Sequence, residues 1–330
     1  MTLNIGWIGC GRHASQMLLP QLVREDVRIA AVCDINPSRA ADVARQYGVS
    51  EIFSDARDLL AHPGLDAIGL AIGPAAHLEI GRAALQRGLP VFMEKPPGAS
   101  HEDALRLQEA SEKAGKPLVV GFMKRFSVGN KIARTVIDRD FGSPLGFYGS
   151  YMTAPTYFKG SADYTDFLLH HCVHYMDLPA HLVGPIAAME PRVIEKEPGK
   201  ILLHIAMEFE NGAIGTLIMG TVQSRGTPME FVQVMGDHRR IEIDNIIGVS
   251  YHRDPPFKSD NPEASLIDGE DTLTWRPNFT AAANEDFKGY HALLKETLSA
   301  FRGERNSAPL IEDGATAMRW LETVRTSLPA

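Results

Sequence analysis

Residues 3–34 constrain the fold of this chain more than any other stretch, because an apolar run, a glycine turn, a helix start and a second apolar run ending in an acid follow without interruption. Residues 5–8 read as a short buried strand, Gly9-Cys10-Gly11-Arg12-His13-Ala14 as the turn, 13–23 as a helix and 28–33 as a second strand closed by Asp34. Glycines at 9 and 11 let the backbone turn tightly and approach a diphosphate, while Ala14 allows close helix–strand packing. The helix start, with Arg12 and His13 in it, presents unpaired N–H groups to anionic oxygens. Asp34 is placed to accept hydrogen bonds from ribose hydroxyls. Together these features point to a bound dinucleotide, against the plainer alternative of a tight structural turn.

A length of 330 residues exceeds a typical single domain and argues for two, each able to bury its own core. Hydrophobic content of 44% and charged content of 22% describe an ordinary soluble globular protein. A net charge of −8, without any lysine- or arginine-rich run, supplies no field for nucleic acid or anionic membrane, so neither is expected as a partner. No apolar run approaches the roughly 20 residues that span a bilayer, and no charged-then-apolar leader precedes the first strand, so a cytoplasmic address is expected. Cys10, Cys33 and Cys172 are odd in number and far apart, which fits reduced thiols and excludes a zinc-finger reading.

Beyond Asp34 the alternation continues. Helical stretches at 38–47, 56–61, 76–87 and 102–114 separate strands near Ile52 and at 67–72, 90–93 and 118–122. This rhythm implies right-handed crossovers and a doubly wound parallel sheet covered on both faces, ending near residue 122. The pattern then changes: helices at 131–138 and 167–182 precede closely spaced strands at 201–208, 213–219, 229–236 and 240–245, with Asn211-Gly212 as a hairpin turn. Consecutive strands on short turns predict an antiparallel sheet, hence an α+β domain over 123–330. The proline- and acid-rich stretch 254–271 reads as a long surface loop, with a lid as the alternative, and two helices at 285–301 and 311–326 close the chain.

Ligands of open parallel sheets bind beyond the carboxyl ends of the strands, which is where Glu94-Lys95-Pro96-Pro97 falls. Pro96 biases Lys95 away from helical backbone, and an ammonium there can polarise a carbonyl or lower the pKa of a hydroxyl. A surface ion pair at a strand end is the alternative. In the second half, His170, His174 and Asp177 fall at i, i+4 and i+7, sharing one helical face, while Leu169, Val173 and Met176 line another. Imidazole accepts protons near neutral pH and a carboxylate one turn away orients it. The His-x3-His spacing also permits a metal, but no His-Glu-x-x-His motif is present and no metal is expected; packed structural histidines remain a third reading. His77, three residues past Pro74, either lines a nicotinamide pocket or caps its helix. Arg39 either meets adenine or a 2′-phosphate, or is an exposed helix arginine.

With these elements in place, the chain resembles the glucose-fructose oxidoreductase, inositol dehydrogenase and MocA family of NAD(P)-dependent oxidoreductases. The resemblance rests on Ile8-Gly9-Cys10-Gly11, Asp34, Gly73-Pro74 with His77, Glu94-Lys95-Pro96, Lys124-Arg125-Phe126 and His174-Tyr175-Met176-Asp177. It implies a Rossmann domain followed by an α/β domain with a broad, mostly antiparallel open sheet, assembled as a homodimer or homotetramer. It also implies catalytic roles for Lys95 and His174, with His170 beside them, cofactor contacts at Gly73, Pro74, His77, Glu94 and Lys95, and substrate contacts at Arg125, Tyr157, His170, His174 and Asp177. The implied substrate is a small carbohydrate or cyclitol. Asp34 repels a 2′-phosphate, favouring NAD over NADP. One departure stands out: many sugar and cyclitol dehydrogenases of the family carry an aspartate four residues before the catalytic histidine, where this chain has His170. The resemblance also reaches redox-neutral glycosidases, for which Tyr157, Tyr175 or His171 would supply a second base, and a non-catalytic NAD(P)-binding regulator.

Overall fold

The computed structural model describes residues 2–155, 163–224, 228–253, 272–276 and 286–328. The chain divides into two compact units, Met1–Met123 with Tyr290–Glu322 and Lys124–Gly289 with Thr323–Ala330.

The first unit is built on six parallel strands, β1 (Leu3–Ile8), β2 (Val27–Cys33), β3 (Glu51–Phe53), β4 (Ala67–Leu70), β5 (Val91–Met93) and β6 (Leu118–Val120), in the order β3-β2-β1-β4-β5-β6. The doubly wound sheet expected from the alternation is therefore present, with its switch point between β1 and β4. β1 and β4 are buried on both faces because helices cover both sides. Trp7 stacks on Phe92 with ring centroids 6.1 Å apart, and its ring fills the space where a Cβ on Gly69 would stand 2.2 Å away.

The first helix departs from expectation. Instead of a regular helix over 13–23 there is a π turn at Ala14–Leu18, closed by Leu19 N–H on the Ala14 carbonyl, and then α1 (Leu19–Leu22). Pro20 explains the break, since it has no N–H for the Gln16 carbonyl and its ring crowds the turn before it. The later helices carry the caps their sequences announce. Asn36 caps α2 (Pro37–Tyr47), Asp55 caps α3 (Ala56–Ala61), Gly73 precedes α4 (Pro74–Gln86), and Ser100 caps α5 (His101–Ala114), which Gly115 ends in the left-handed conformation.

The second unit holds an eight-stranded sheet in the order β14-β13-β12-β11-β7-β10-β9-β8. Its strands are β7 (Gly146–Met152), β8 (Ile186–Glu197), β9 (Lys200–Phe209), β10 (Ile214–Gly220), β11 (Met229–Gly236), β12 (Arg239–Asp244), β13 (Gly248–His252) and β14 (Thr272–Trp275). Every pairing is antiparallel except β7 with β10, so the mostly antiparallel sheet is confirmed. Asn211-Gly212 makes the β9–β10 turn, with Phe209 N–H on the Ala213 carbonyl at 2.9 Å. The helices are α6 (Val128–Val136), α7 (Thr165–Phe167) and α8 (Val173–Val183), with a π turn at Leu168–Cys172 between the last two.

The last two helices, α9 (Tyr290–Phe301) and α10 (Ile311–Arg325), were expected to belong to 123–330. By packing, residues 290–322 group with the first compact unit. There α9 packs beside α1, with His291 Nε2 2.8 Å from the Glu25 carboxylate, and the Pro309 carbonyl accepts from Val120 N–H at 2.8 Å. Helical periodicity reports which face of a helix is buried but not which sheet it covers. The stretch 254–271 and Tyr157 lie outside the described residues. Among the described residues, no helix is long and apolar enough to cross a membrane.

Candidate active site

The two glycines of the first turn differ in why they are glycine. Gly9 has φ +96°, and a Cβ there would fall 2.2 Å from the Ala71 carbonyl oxygen, so the fold itself demands it. A Cβ on Gly11 would meet nothing within 4 Å. The space over Gly11 is open to an approaching ligand. Asp34, at the end of β2, is 7% exposed, and backbone N–H groups fix its carboxylate: Cys10 donates to Oδ2 and Asn36 to Oδ1, each at 2.8 Å. Each oxygen keeps a lone pair, which is what a ribose diol requires. Ile35 is 93% exposed and Arg39 lies exposed on α2. Burial, reinforced by the Asp34 charge, pushes the Cys10 thiol up to about 12 and that of Cys33 up to about 11, so both stay protonated. Open backbone over Gly11 and the fixed acid together suit a dinucleotide.

The second cluster lies at the carboxyl ends of β4 and β5. Gly73 is the cap of α4 and Pro74 its first residue, so His77 is not a cap. It is fully buried, its Nδ1 lies 2.8 Å from the Pro96 carbonyl oxygen, and desolvation lowers its pKa. The neutral ring therefore carries its proton on Nδ1 and donates it to Pro96, leaving Nε2 as a buried acceptor with no hydrogen bond among the described residues. Glu94 is buried, 5% exposed. Its Oε2 accepts from Lys95 N–H at 3.3 Å, and its Oε1 lies 3.4 Å from His13 Nε2. Lys95 itself is half-buried. Arg12, exposed on the turn, donates from Nε to Gln16 at 2.9 Å.

In the second unit the shared helical face of His170, His174 and Asp177 is realised only in part. The π turn at Leu168–Cys172 changes the angular step, and it leaves the His170 side chain 48% exposed with Nε2 3.6 Å from Asp166. His174 and Asp177, on α8, are buried. The Asp177 carboxylate is held in a two-pronged pair by Arg125, whose Nε reaches Oδ2 at 2.8 Å while Nη2 pairs with Oδ1. The two charges thus form a buried, charge-assisted pair. Tyr175 donates its hydroxyl to Glu230, and burial with that carboxylate raises its pKa well above the ordinary range. His171 Nδ1 meets the Tyr151 hydroxyl at 2.6 Å.

The buried network of Lys124, Glu230, Tyr151 and Tyr175 was missed in the sequence. Lys124 Nζ pairs with Glu230 and stands 5.0 Å over the Tyr175 ring. Lys124 stood beside a recognised arginine, but Glu230 lies on a strand with no motif around it. Among the described residues, no group of three His, Cys, Asp or Glu side chains is placed to hold a metal ion.

Comparison with known proteins assigns the chain. Residues 3–122 match the model of an oxidoreductase family, NAD-binding Rossmann fold, and residues 141–328 match that family's C-terminal alpha/beta domain. The inositol 2-dehydrogenase of Burkholderia vietnamiensis is 32% identical over 213 residues, which is 62% of each chain, so less than two thirds of that relative is matched. The inositol 2-dehydrogenase of Azotobacter vinelandii is 28% identical over 332 residues, 96% of this chain and 91% of its own. Among solved structures, a dehydrogenase from Chromobacterium violaceum superimposes with a TM-score of 0.86 at 24% identity, over 99% of this chain and 96% of that one. Levoglucosan dehydrogenase in complex with NADH and levoglucosan does so with a TM-score of 0.80 at 17% identity, over 99% and 97%. At those identities the likeness establishes the fold. With both of its domains matched in order, this chain belongs to the Gfo/Idh/MocA family of oxidoreductases, and its N-terminal domain is of the NAD-binding Rossmann type.

Proposed function

We propose that the protein is an NAD-dependent dehydrogenase or reductase acting on a secondary hydroxyl, or the matching ketone, of a sugar, glycoside or cyclitol. The observation that carries this reading is the buried, doubly fixed Asp34 carboxylate beside an open Gly11, in a sheet whose β5 ends in Glu94-Lys95-Pro96. The inositol 2-dehydrogenase relatives support the substrate class.

NAD, when bound, supplies the hydride-accepting carbon. Backbone N–H groups from Gly11 through His13, with Arg12 beside them, would hold its diphosphate, and Asp34 the adenosine ribose. Gly73, Pro74, His77 and Glu94 would line the nicotinamide end, and Arg39 would lie near adenine. Lys95 would stabilise negative charge developing on the substrate oxygen, and His174 would take or return the hydroxyl proton. Arg125, paired with Asp177, would orient α8 and so His174, while His170 and Tyr157 are candidates for contacts to further hydroxyls. Asp34 would disfavour NADP by charge repulsion. The test is absorbance at 340 nm with NAD and, separately, NADP against monosaccharides, glycosides and inositols. A substrate-dependent rise, larger with NAD, is the expected result. A flat trace from protein that binds NADH would sink the dehydrogenase reading.

A further inference from the structure

The glycine turn is tied down just before it opens. Gly9 N–H donates to the Cys33 carbonyl at 2.8 Å, which fastens the turn to the end of β2. The next peptide, between Gly9 and Cys10, is held at both ends: its carbonyl accepts from Trp7 Nε1–H at 2.9 Å, and its N–H donates to Asp34 Oδ2 at 2.8 Å. A peptide unit is planar, so bonds at its two ends fix its plane and with it the direction in which the chain leaves towards Gly11. The N–H groups that follow, from Gly11 through His13, are those proposed to hold a diphosphate, and the space over Gly11 is open.

The fold makes room for the indole. Trp7, on β1, is 1% exposed, and its benzo edge lies across β4, where Cε3 and Cζ3 stand 2.2 and 2.3 Å from the place a Cβ on Gly69 would take. A glycine inside a buried strand weakens it and marks a close approach. The ring stacks on Phe92 of β5. A phenylalanine would also stack there, but without a donor; the indole differs by its Nε1–H, and that group is aimed at the turn.

We propose that Trp7 is a positioning residue of the diphosphate turn: by holding the Gly9 carbonyl opposite Asp34, it sets the peptide that aims the N–H groups from Gly11 onwards. The assignment rests on the NAD reading above and adds to it a residue too buried to touch the cofactor itself. The hold on the adenosine ribose is separate, because Asn36 N–H fixes Asp34 Oδ1 independently of the Gly9–Cys10 peptide. Trp7 therefore acts on diphosphate binding and not on nucleoside binding.

The test uses ligands that differ in what they present to the turn. Dissociation constants for NADH, by fluorescence, and for ADP and adenosine, by displacement of NADH, are measured on the full chain and on a Trp7→Phe variant, which keeps a ring against Phe92 and loses the donor. Trp7→Phe should bind NADH and ADP about tenfold more weakly, since the released peptide no longer presents the N–H groups in one arrangement, and should bind adenosine within about twofold of the wild type. The unchanged adenosine reports an intact fold. Should Trp7→Phe not fold, 3-benzothienylalanine at position 7, which has sulfur in place of the N–H in the same bicyclic shape, must show the same split. A lower urea midpoint with ADP affinity intact would mean that the Gly9 carbonyl merely satisfies a buried indole, and would overturn the inference, as would equal weakening of ADP and adenosine. A wild-type chain that binds neither NADH nor ADP would instead overturn the NAD reading itself.

Discussion

At the scale of single residues, the structure separates a glycine the fold demands from one that faces open space. Gly9→Ala forces a side chain into φ +96° and against the Ala71 carbonyl, so it should cost at least about 2 kcal/mol of stability, measured by urea unfolding. Gly11→Ala meets open space, so its unfolding midpoint should match the wild type while NADH affinity falls about tenfold; loss of stability at Gly11 with affinity intact would contradict this. His181 offers a different kind of test. Burial, with Arg125 and Arg134 nearby, lowers its pKa to about 3, against roughly 6.5 in the unfolded chain. Between those values the unfolded state binds a proton that the folded state refuses. Stability should therefore fall as pH drops from 6.5 towards 3, by at most about 1.4 kcal/mol per pH unit. The ring is partly accessible, so the loss will sit below that limit. Urea midpoints at pH 7.5 and 5.5 should converge in a His181→Gln variant, and parallel curves would show that His181 is not the sensor. The glycine turn, Asp34, Lys95 and His174 were legible in the sequence because local motifs announce them. His77's bond to Pro96 and the Lys124–Glu230 pair were not, since each joins residues that only the folded chain brings together.

At the scale of elements, the helix carrying the histidines shows how far periodicity reaches. Its existence and the burial of Val173 and Met176 follow from spacing, but a π turn at Leu168–Cys172 is invisible in a 3.6-residue pattern, and it sets His170 apart from His174. A His174→Ala variant should lose about 100-fold or more in kcat, while His170→Ala, at the exposed rim, should stay within about threefold; equal losses would restore the shared-face reading. The buried Arg125–Asp177 pair, side chains 10% and 3% exposed, stabilises α8 only as a pair. Asp177→Asn should cost about 3–5 kcal/mol in urea unfolding by removing the buried counter-charge of Arg125, and the double variant Arg125→Met, Asp177→Leu should recover much of that. Strands were legible where apolar and polar residues alternate, as in β9 and β11. β8 was not anticipated, because Pro191 and the charged run after it break the apolar pattern, which an edge strand tolerates. β7, with Gly146 and Gly149, escaped for lack of side chains to make a pattern.

At the scale of the molecule, the order of residues along the chain and the order of folding units differ. The first unit is closed by residues 290–322, so its sheet and every proposed cofactor contact lie in 1–123 while part of its core does not. On α9, Leu293, Leu294 and Leu298 are each at most 1% exposed, and burying such a side chain is worth about 1.5–3 kcal/mol. Three of them rival the whole 5–15 kcal/mol that holds a typical domain together. A fragment of residues 1–123 should therefore fail to unfold cooperatively and fail to bind NADH, although it keeps Gly9, Gly11, Asp34 and Lys95. Restoring residues 290–328 through a short flexible linker should rescue both properties. The join is short because, in the second unit, Gly289 runs against Phe126, where a Cβ would lie 2.3 Å from the Phe126 carbonyl carbon, only a few residues from each crossing point. Calorimetry of the two fragments decides the matter: a sharp melt and NADH binding by 1–123 alone would show that the closing helices are dispensable, and that the sheet with its own helices suffices as the cofactor domain.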